Sequence, residues 1–217
     1  NLETDDTDIS ACDIAGPGFI NFTFSYNYLY SRLEQVAEYG ADFGKKKQEN
    51  PAKVQVEFVS ANPTGPLTIG HGRQAVIGDT IARLLEAVGC EVTREYYYND
   101  AGRQMRKLGE SLRLRYLELY GWKVDFDDNL YKGEYIRNIA LQIREEKGDC
   151  LVDSDDLDYF IKRAEEEIFK DITATLSRMN IEFDVFYNEK TLYEKGLIDD
   201  VIQKLRSKGL VYEDEGA

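Results

Sequence analysis

Val54-Gln55-Val56-Glu57-Phe58-Val59-Ser60-Ala61-Asn62-Pro63-Thr64-Gly65-Pro66-Leu67-Thr68-Ile69-Gly70-His71-Gly72-Arg73 is the stretch on which the fold turns. It opens with Val54, Val56, Phe58 and Val59, a β-branched and aromatic run short enough for a buried strand ending near Ser60. Asn62-Pro63 and Gly65-Pro66 then exclude regular structure, because proline has no N–H and restricts the residue before it. After Gly70-His71-Gly72, the residues Ala75, Val76, Ile77, Ile81, Ala82, Leu84, Leu85 and Val88 form a broad apolar face at helical spacing that stops at Gly89. Glu91 to Tyr98 follows as a second strand. Strand, loop, helix and strand make the βαβ step of an α/β fold with a parallel, nucleotide-binding type of sheet. Ligands of such sheets lie at the carboxyl ends of the strands, where this loop is.

Two readings of the loop compete on physics alone. Gly70-His71-Gly72-Arg73-Gln74-Ala75 matches the dinucleotide pattern G-x-G-x-x-A, with Asp100 or Glu95 as the following acid. Against it stand the nine residues from Ala61 to Ile69, two of them proline. Loops of dinucleotide folds usually run about 2–6 residues. In the other reading the loop lays a nucleotide triphosphate over a helix N-terminus, where free N–H groups and the helix dipole favour negative charge. His71 then adds a donor.

Glu57-Phe58-Val59-Ser60-Ala61-Asn62-Pro63-Thr64-Gly65-Pro66-Leu67, Ile69-Gly70-His71-Gly72-Arg73 and Asn99-Asp100-Ala101-Gly102-Arg103-Gln104 closely resemble the arginyl-tRNA synthetases, class I aminoacyl-tRNA synthetases. Thr68 to His71 is similar to the family's HIGH signature, and the resemblance runs from about Gly16 to Ala217. One position departs: Thr68 stands where the family usually has His, and a hydroxyl can donate one hydrogen bond but carries no charge. The resemblance implies a Rossmann-like, HIGH-type nucleotide-binding sheet with a helical insertion from about residue 101. It also implies ATP-dependent activation of L-arginine to arginyl-adenylate and transfer to tRNA(Arg). By the same resemblance His71 and Thr68 are catalytic, and Pro63, Thr64, Gly65, Gly70, His71 and Gly72 hold ATP. Glu57, Ser60 and Asn62 hold arginine, with Asn99 and Asp100 beside the same crevice. ATP with accompanying Mg2+, no protein-bound metal, a cytoplasmic location and a monomeric full-length enzyme are implied as well.

A lysine-rich KMSKS-like loop, the second half of the sheet and an anticodon-binding helical domain are not visible in the sequence. The expectation is therefore a portion of a synthetase, inactive by itself. A stand-alone, non-catalytic relative that binds tRNA or a protein partner is the alternative, and a dinucleotide-binding oxidoreductase the third reading.

The 217 residues suffice for one or two modest domains. Residues 1–39 read as the tail of an appended α+β domain, 40–52 as a linker rich in Gly, Lys and polar residues, and 53–217 as the first part of the catalytic domain. Asn1 to Asp13 reads as a frayed lead-in. Gly16-Pro17-Gly18 turns the chain, Phe19 to Phe24 alternates as a half-buried strand, and Ser25 caps a helix carrying Tyr26, Leu29, Leu33, Val36 and Ala37. Residues 15–22 resemble the last segment of the family's tRNA-contacting N-terminal module. Downstream, helices are expected over Ala101–Tyr120, over Glu134–Glu146, from a Ser154 cap to Met179, and over Ile198–Leu205. Strands are expected over Phe183–Tyr187 and Leu210–Tyr212.

A net charge of −14 argues against a free-standing nucleic-acid binder, since phosphate contacts come mainly from Lys and Arg. Arg103, Arg106, Lys107, Arg113 and Arg115 form a local basic cluster that reads as a solvated helix face or as a tRNA contact. The sequence offers no run of about 18 apolar residues, and no signal peptide opens it. Cys12, Cys90 and Cys150 lie far apart without a C-x-x-C, which fits a reducing cytosol. With His71 the single histidine, a Cys/His zinc site is disfavoured. Ser60 has no evident base apart from His71, which argues against nucleophilic serine catalysis. Glu57, among apolar neighbours, needs a partner if buried.

Overall fold

The computed structural model describes residues 8–100 and 102–212. They fall into two compact units: the chain up to Pro51 with Ala87–Gly89, and Ala52–Glu86 with the chain from Cys90 onward.

In the first unit Ile9–Ala15 (β1) pairs antiparallel with Phe19–Phe24 (β2) around Gly16-Pro17-Gly18. Gly16 and Gly18 adopt φ of 55° and 111°, conformations that glycine reaches without a Cβ penalty. The lead-in expected over Asn1–Asp13 is corrected from Ile9 onward; residues 1–7 lie outside the described residues. Ile14 opposite Ile20 and Cys12 opposite Phe22 supply the cross-strand pairs that make a strand of a segment that looks polar in sequence. Tyr26–Tyr39 (α1) starts at the expected cap, where the Tyr28 N–H donates to Ser25 Oγ at 3.2 Å.

The second unit contains Lys53–Glu57 (β3), Ile69–Ala87 (α2), Glu91–Tyr98 (β4), Gly102–Glu118 (α3), Glu134–Lys147 (α4), Leu157–Arg178 (α5), Val185–Asn188 (β5), Lys190–Glu194 (α6) and Leu197–Ser207 (α7). Its three strands are parallel in the order β3-β4-β5, as the βαβ reading requires. The helical stripes read from the sequence form the core: Met105, Leu108, Leu112 and Tyr116 of α3, Ile136, Ile139 and Ile143 of α4, and Phe160, Ile168, Ile172 and Leu176 of α5 are buried with Tyr96 of β4. No described helix is long and apolar enough to cross a membrane.

Several boundaries are corrected. β3 stops at Glu57 rather than Ser60, and its exposure alternates, so it is a half-buried strand, hydrogen-bonded among the described residues on one side only, to β4. α2 starts at Ile69, which puts Gly70, His71 and Gly72 inside its first turn. Its buried stripe is Ala75, Gly78, Asp79 and Ala82, whereas Ile77, Ile81 and Leu84 are exposed. Gly78 explains the small residues, because the Phe58 ring occupies the place of its missing side chain. Asp156, not Ser154, caps α5, accepting from the Tyr159 N–H at 3.1 Å. Leu210–Tyr212 is not a strand, and the five-residue α6 is too short to announce itself by periodicity. Ala101, expected to start α3, lies outside the described residues.

Asp79, 8% exposed on α2, is the electrostatic link to the sheet. Arg94 of β4 reaches Asp79 Oδ1 at 3.3 Å and forks onto Glu86 at 2.6 and 3.0 Å, while Arg83 donates to Asp79 Oδ2 at 2.6 Å. The Arg94 N–H is in turn held by Asp184 at 2.7 Å, just ahead of β5. Its hydrogen bonds to Glu86 and Asp79 hold the Arg94 guanidinium even more firmly protonated than usual, and Arg94 holds Glu86 below the usual carboxylate range. Glu86 therefore stabilises the fold above its unfolded pKa and loses that contribution as acid titrates it through its lowered folded value. Removing Arg94 takes one of two guanidinium partners from the buried Asp79 and the fork from Glu86, so Arg94→Leu is expected to lower the unfolding free energy by about 2–3 kcal/mol in urea melts. Arg83→Leu, at a side chain 53% exposed, is expected to cost under about 1 kcal/mol.

Candidate active site

The site begins where β3 stops. The Phe58 N–H still donates to Glu95 O at 3.2 Å, but Val59 and Ser60 then take φ of 65° and 43°. The Ser60 N–H closes on Phe58 O at 2.9 Å, giving a three-residue γ-turn of the positive-φ kind, which is rare and strained. A β-branched residue in that region is a steric outlier, costing on the order of 1–3 kcal/mol. The turn persists because Val59 is buried and Ser60 is tied on two sides: its hydroxyl donates to Glu57 Oε1 at 2.7 Å and accepts from the Tyr97 N–H at 3.1 Å. Glu57 is exposed rather than buried, and its partner is this hydroxyl. Glu57 and Ser60 are thus brought together at the mouth of a groove of about 430 Å³ that runs between β3 and α2 past Phe58, Gln74 and Ile77.

From Ala61 the chain has no ladder, and its polar groups are met by side chains. Tyr96 donates its hydroxyl to Ala61 O at 2.8 Å, and Tyr135 of α4 donates to Thr64 O at 2.7 Å. Burial pushes both phenols up to about 12, so they remain donors at physiological pH. Asn62 Oδ1 accepts from the Asn99 N–H at 2.9 Å and its amide donates to Gln104 at 3.3 Å, which braces the loop to the end of β4. The Thr64 N–H returns to Asn62 O at 2.8 Å across the buried Pro63. A side chain at Gly65 would lie 3.1 Å from the Tyr135 hydroxyl, tighter than an ordinary contact, so a larger residue here would have to displace the tip of Tyr135. Tyr135, 71 residues beyond Thr64, carried no sequence signal except an aromatic at the start of a helix.

At the start of α2 the Gly72 N–H donates to Thr68 O at 3.0 Å, which makes Thr68 the capping residue. The Thr68 N–H donates to His71 Nδ1 at 3.1 Å, Thr68 Oγ1 lies 3.3 Å from the same nitrogen, and the His71 N–H reaches Thr68 Oγ1 at 3.5 Å. Ile69 and Gly70 keep N–H groups without a partner among the described residues. A side chain at Gly72 would meet nothing within 4 Å, and one at Gly70 only the Thr68 hydroxyl at 3.5 Å. Neither glycine has positive φ, so Gly70-His71-Gly72 is helix and not the tight turn of a dinucleotide fingerprint. That reading is overturned.

Beyond β4, Glu189 is held by the Tyr97 hydroxyl at 3.0 Å and the Asn99 amide at 2.7 Å. Asp100 Oδ2 accepts from Asn188 at 2.7 Å, while its Oδ1 is buried with no donor at hydrogen-bond distance among the described residues. Beside it stands Glu165 of α5, whose carboxyl is raised to about 7 by burial, then by Asp100 and Glu166, against a lowering by Lys190. Of the basic cluster, Arg113 is spent on Ser154 and Asp155, and Arg115 on Glu118, Lys132 O and the Phe126 ring; Arg103 and Arg106 stay exposed.

A parallel sheet with a helix mouth at the carboxyl end of a strand is the arrangement of a nucleotide-binding α/β domain, and the family comes from comparison with known proteins. The chain belongs to the family described as "tRNA synthetases class I (R), catalytic domain", which matches residues 33–217. The arginine–tRNA ligase of Desulfotalea psychrophila is 55% identical over 209 residues, covering 96% of this chain and 38% of that protein. The arginine–tRNA ligase of Chlorobium phaeovibrioides is 51% identical over 214 residues, covering 96% and 39%. Among solved structures, a chain assigned as an arginyl-tRNA synthetase from Campylobacter jejuni superposes with a TM-score of 0.81 at 32% identity, over 89% of this chain and 42% of that one. The Thermus thermophilus arginyl-tRNA synthetase, at 23% identity and a TM-score of 0.54 over 92% of this chain and 33% of that one, shares the fold. The chain therefore spans about two-fifths of the length of these curated relatives.

Glu165 gives a pH signature of the carboxyl cluster. Its folded pKa is raised, so the folded state binds the extra proton between the ordinary value of 4.5 and about 7, and stability falls as pH rises across that window. Glu165→Gln is expected to remove this slope, measured as the difference between wild-type and variant unfolding free energies from pH 4.5 to 7.

Proposed function

We propose that this chain is the first part of the catalytic domain of an arginine–tRNA ligase, incomplete and inactive by itself. The full-length protein activates L-arginine with ATP and passes the arginyl group to tRNA(Arg). The observation that carries this reading is the meeting of two features at the carboxyl end of β3: a strained turn that folds Ser60 back over Glu57, and an open helix mouth carrying His71. Two further features support incompleteness. Among the described residues β3 has a neighbour on one side only, and the apolar side chains of Ile77 and Ile81 are exposed beside it. The rest of the sheet adds at that edge. Residues 1–39 are the tail of an appended domain, 40–52 the linker and 53–217 the catalytic portion.

In this reading the carboxylate of arginine attacks the α-phosphorus of ATP, the bond to the leaving pyrophosphate breaks, and arginyl-adenylate forms. A terminal ribose hydroxyl of the tRNA then displaces AMP. There is little covalent work for the protein, which positions the reactants and neutralises charge. Glu57 receives the cationic side chain or ammonium of the substrate, with Ser60 and Asn62 orienting it. The free N–H groups of the first turn of α2 and the ring of His71 meet the triphosphate, which Gly70 and Gly72 leave uncovered. Pro63, Thr64 and Gly65 shape the loop along which the nucleotide lies. Mg2+ arrives with the nucleotide and supplies charge neutralisation on the phosphates; no described cluster of three or more His, Cys, Asp or Glu side chains is placed to hold a metal. The full-length enzyme is a cytoplasmic monomer.

Arginine-dependent exchange of pyrophosphate into ATP by the full-length gene product tests the reading. His71→Ala is expected to slow that exchange by about 10²–10³, the loss of one preorganised donor. Near-normal exchange in the variant removes His71 from the mechanism. A wild-type protein with no arginine-dependent exchange would overturn the assignment in favour of a non-catalytic relative.

A further inference from the structure

Thr68 occupies the first position of the HIGH-like signature, where the sequence has Thr in place of His, and the structure gives it a task. A capping box pairs a Ser or Thr at the N-cap with a Glu or Gln three residues on: the hydroxyl accepts from the later N–H, and the later side chain accepts from the N-cap N–H. Thr68-Ile69-Gly70-His71 has this layout with an imidazole in place of the carboxylate. The His71 N–H lies 3.5 Å from Thr68 Oγ1, and the Thr68 N–H donates to His71 Nδ1 at 3.1 Å. We infer that Thr68 is a positioning residue for His71, closing a capping box that fixes the imidazole as its Nε2–H tautomer and holds that N–H as a ready donor at the start of α2.

The place of the proton follows from the group opposite it. A backbone N–H can only donate, so Nδ1 must offer its lone pair, and in the neutral ring the hydrogen sits on Nε2. No described residue accepts from Nε2, and no side chain projects from Gly70 or Gly72 to cover it. The ring thus has one nitrogen committed to the fold and the other free for a ligand. A donor ordered before the ligand arrives needs no reorganisation when charge develops on the oxygens it meets. That those oxygens belong to ATP rests on the function proposed above; the box itself does not. The departure at position 68 then replaces one imidazole by a device that sets the other.

The test uses the full-length product labelled with 15N-histidine, with the His71 signals assigned by their loss in His71→Gln. In the wild type the two ring nitrogens are expected to have widely separated shifts, the signature of one neutral tautomer. Thr68→Ala keeps the backbone donor to Nδ1 but removes the hydroxyl that lies 3.3 Å from Nδ1 and 3.5 Å from the His71 N–H, so the ring should loosen and the separation shrink, and kcat for pyrophosphate exchange should fall about five- to tenfold with the KM for arginine unchanged, the scale of a lost cap. Thr68→Ser should restore both, and Thr68→Val, with the same shape and no hydroxyl, should behave like the alanine variant. Unchanged nitrogen shifts in Thr68→Ala and Thr68→Val, or failure of serine to restore them, would overturn the proposal. Shifts that respond in a protein lacking arginine-dependent exchange would sustain the box and sink the catalytic reading instead.

Discussion

A chain that leaves a strand without entering a helix must find partners for every backbone polar group it buries. Between Glu57 and Ile69 that requirement is met by short backbone bonds at the turns together with side chains from elsewhere in the same unit. Tyr96 takes the carbonyl of Ala61, Tyr135 that of Thr64, and Asn62 accepts the N–H at the end of β4. Tyr96 and Tyr135 stand on β4 and α4, and Asn99 directly follows β4, so the core sets the position of all three. The loop is therefore as firmly placed as the sheet and α4, and the residues it carries inherit that precision. Without those three tethers the two prolines would stiffen the segment locally but leave its direction open.

The strain at Val59 and Ser60 is the local cost of this placement. A positive-φ γ-turn in a β-branched residue opposes folding, and such outliers persist where the surroundings over-determine them. Here the surroundings are the burial of Val59 and the two hydrogen bonds of the Ser60 hydroxyl. What the turn achieves is geometric: it ends β3 one residue before Phe58 and brings a hydroxyl over the Glu57 carboxylate. The same turn sends Phe58 onto Gly78, and that contact explains why the inner stripe of α2 is built from small residues.

Asp79 and Arg94 hold the helix to the strand on the other side of this contact. A carboxylate on the inner stripe of a helix is an unusual choice, made tolerable by two guanidinium groups and by the onward link through Glu86 and Asp184. Packing at Gly78 and charge pairing at Asp79 are adjacent in sequence and act together. Both hold α2 against the end of β3, the relation on which a ligand at the helix mouth depends.

Much of this was legible in the sequence. Spacing of apolar residues gave β4 to the residue and α3, α4 and α5 to within a few residues, because an amphipathic period is a property of the chain itself. Ser25 as a cap, the βαβ step and the placing of the loop at the strand ends were readable for the same reason. What only the tertiary structure decided were contacts between residues distant in sequence. Glu57 proved exposed because β3 has one neighbour, and Ile9–Ala15 proved to be a strand because β2 lies opposite. Tyr135 joined the loop because α4 packs there. Thr68 shows the division most plainly. The sequence displayed the substitution, but whether its hydroxyl and N–H could reach His71 depended on where the helix began, and that was fixed by the fold and not by the residue's type.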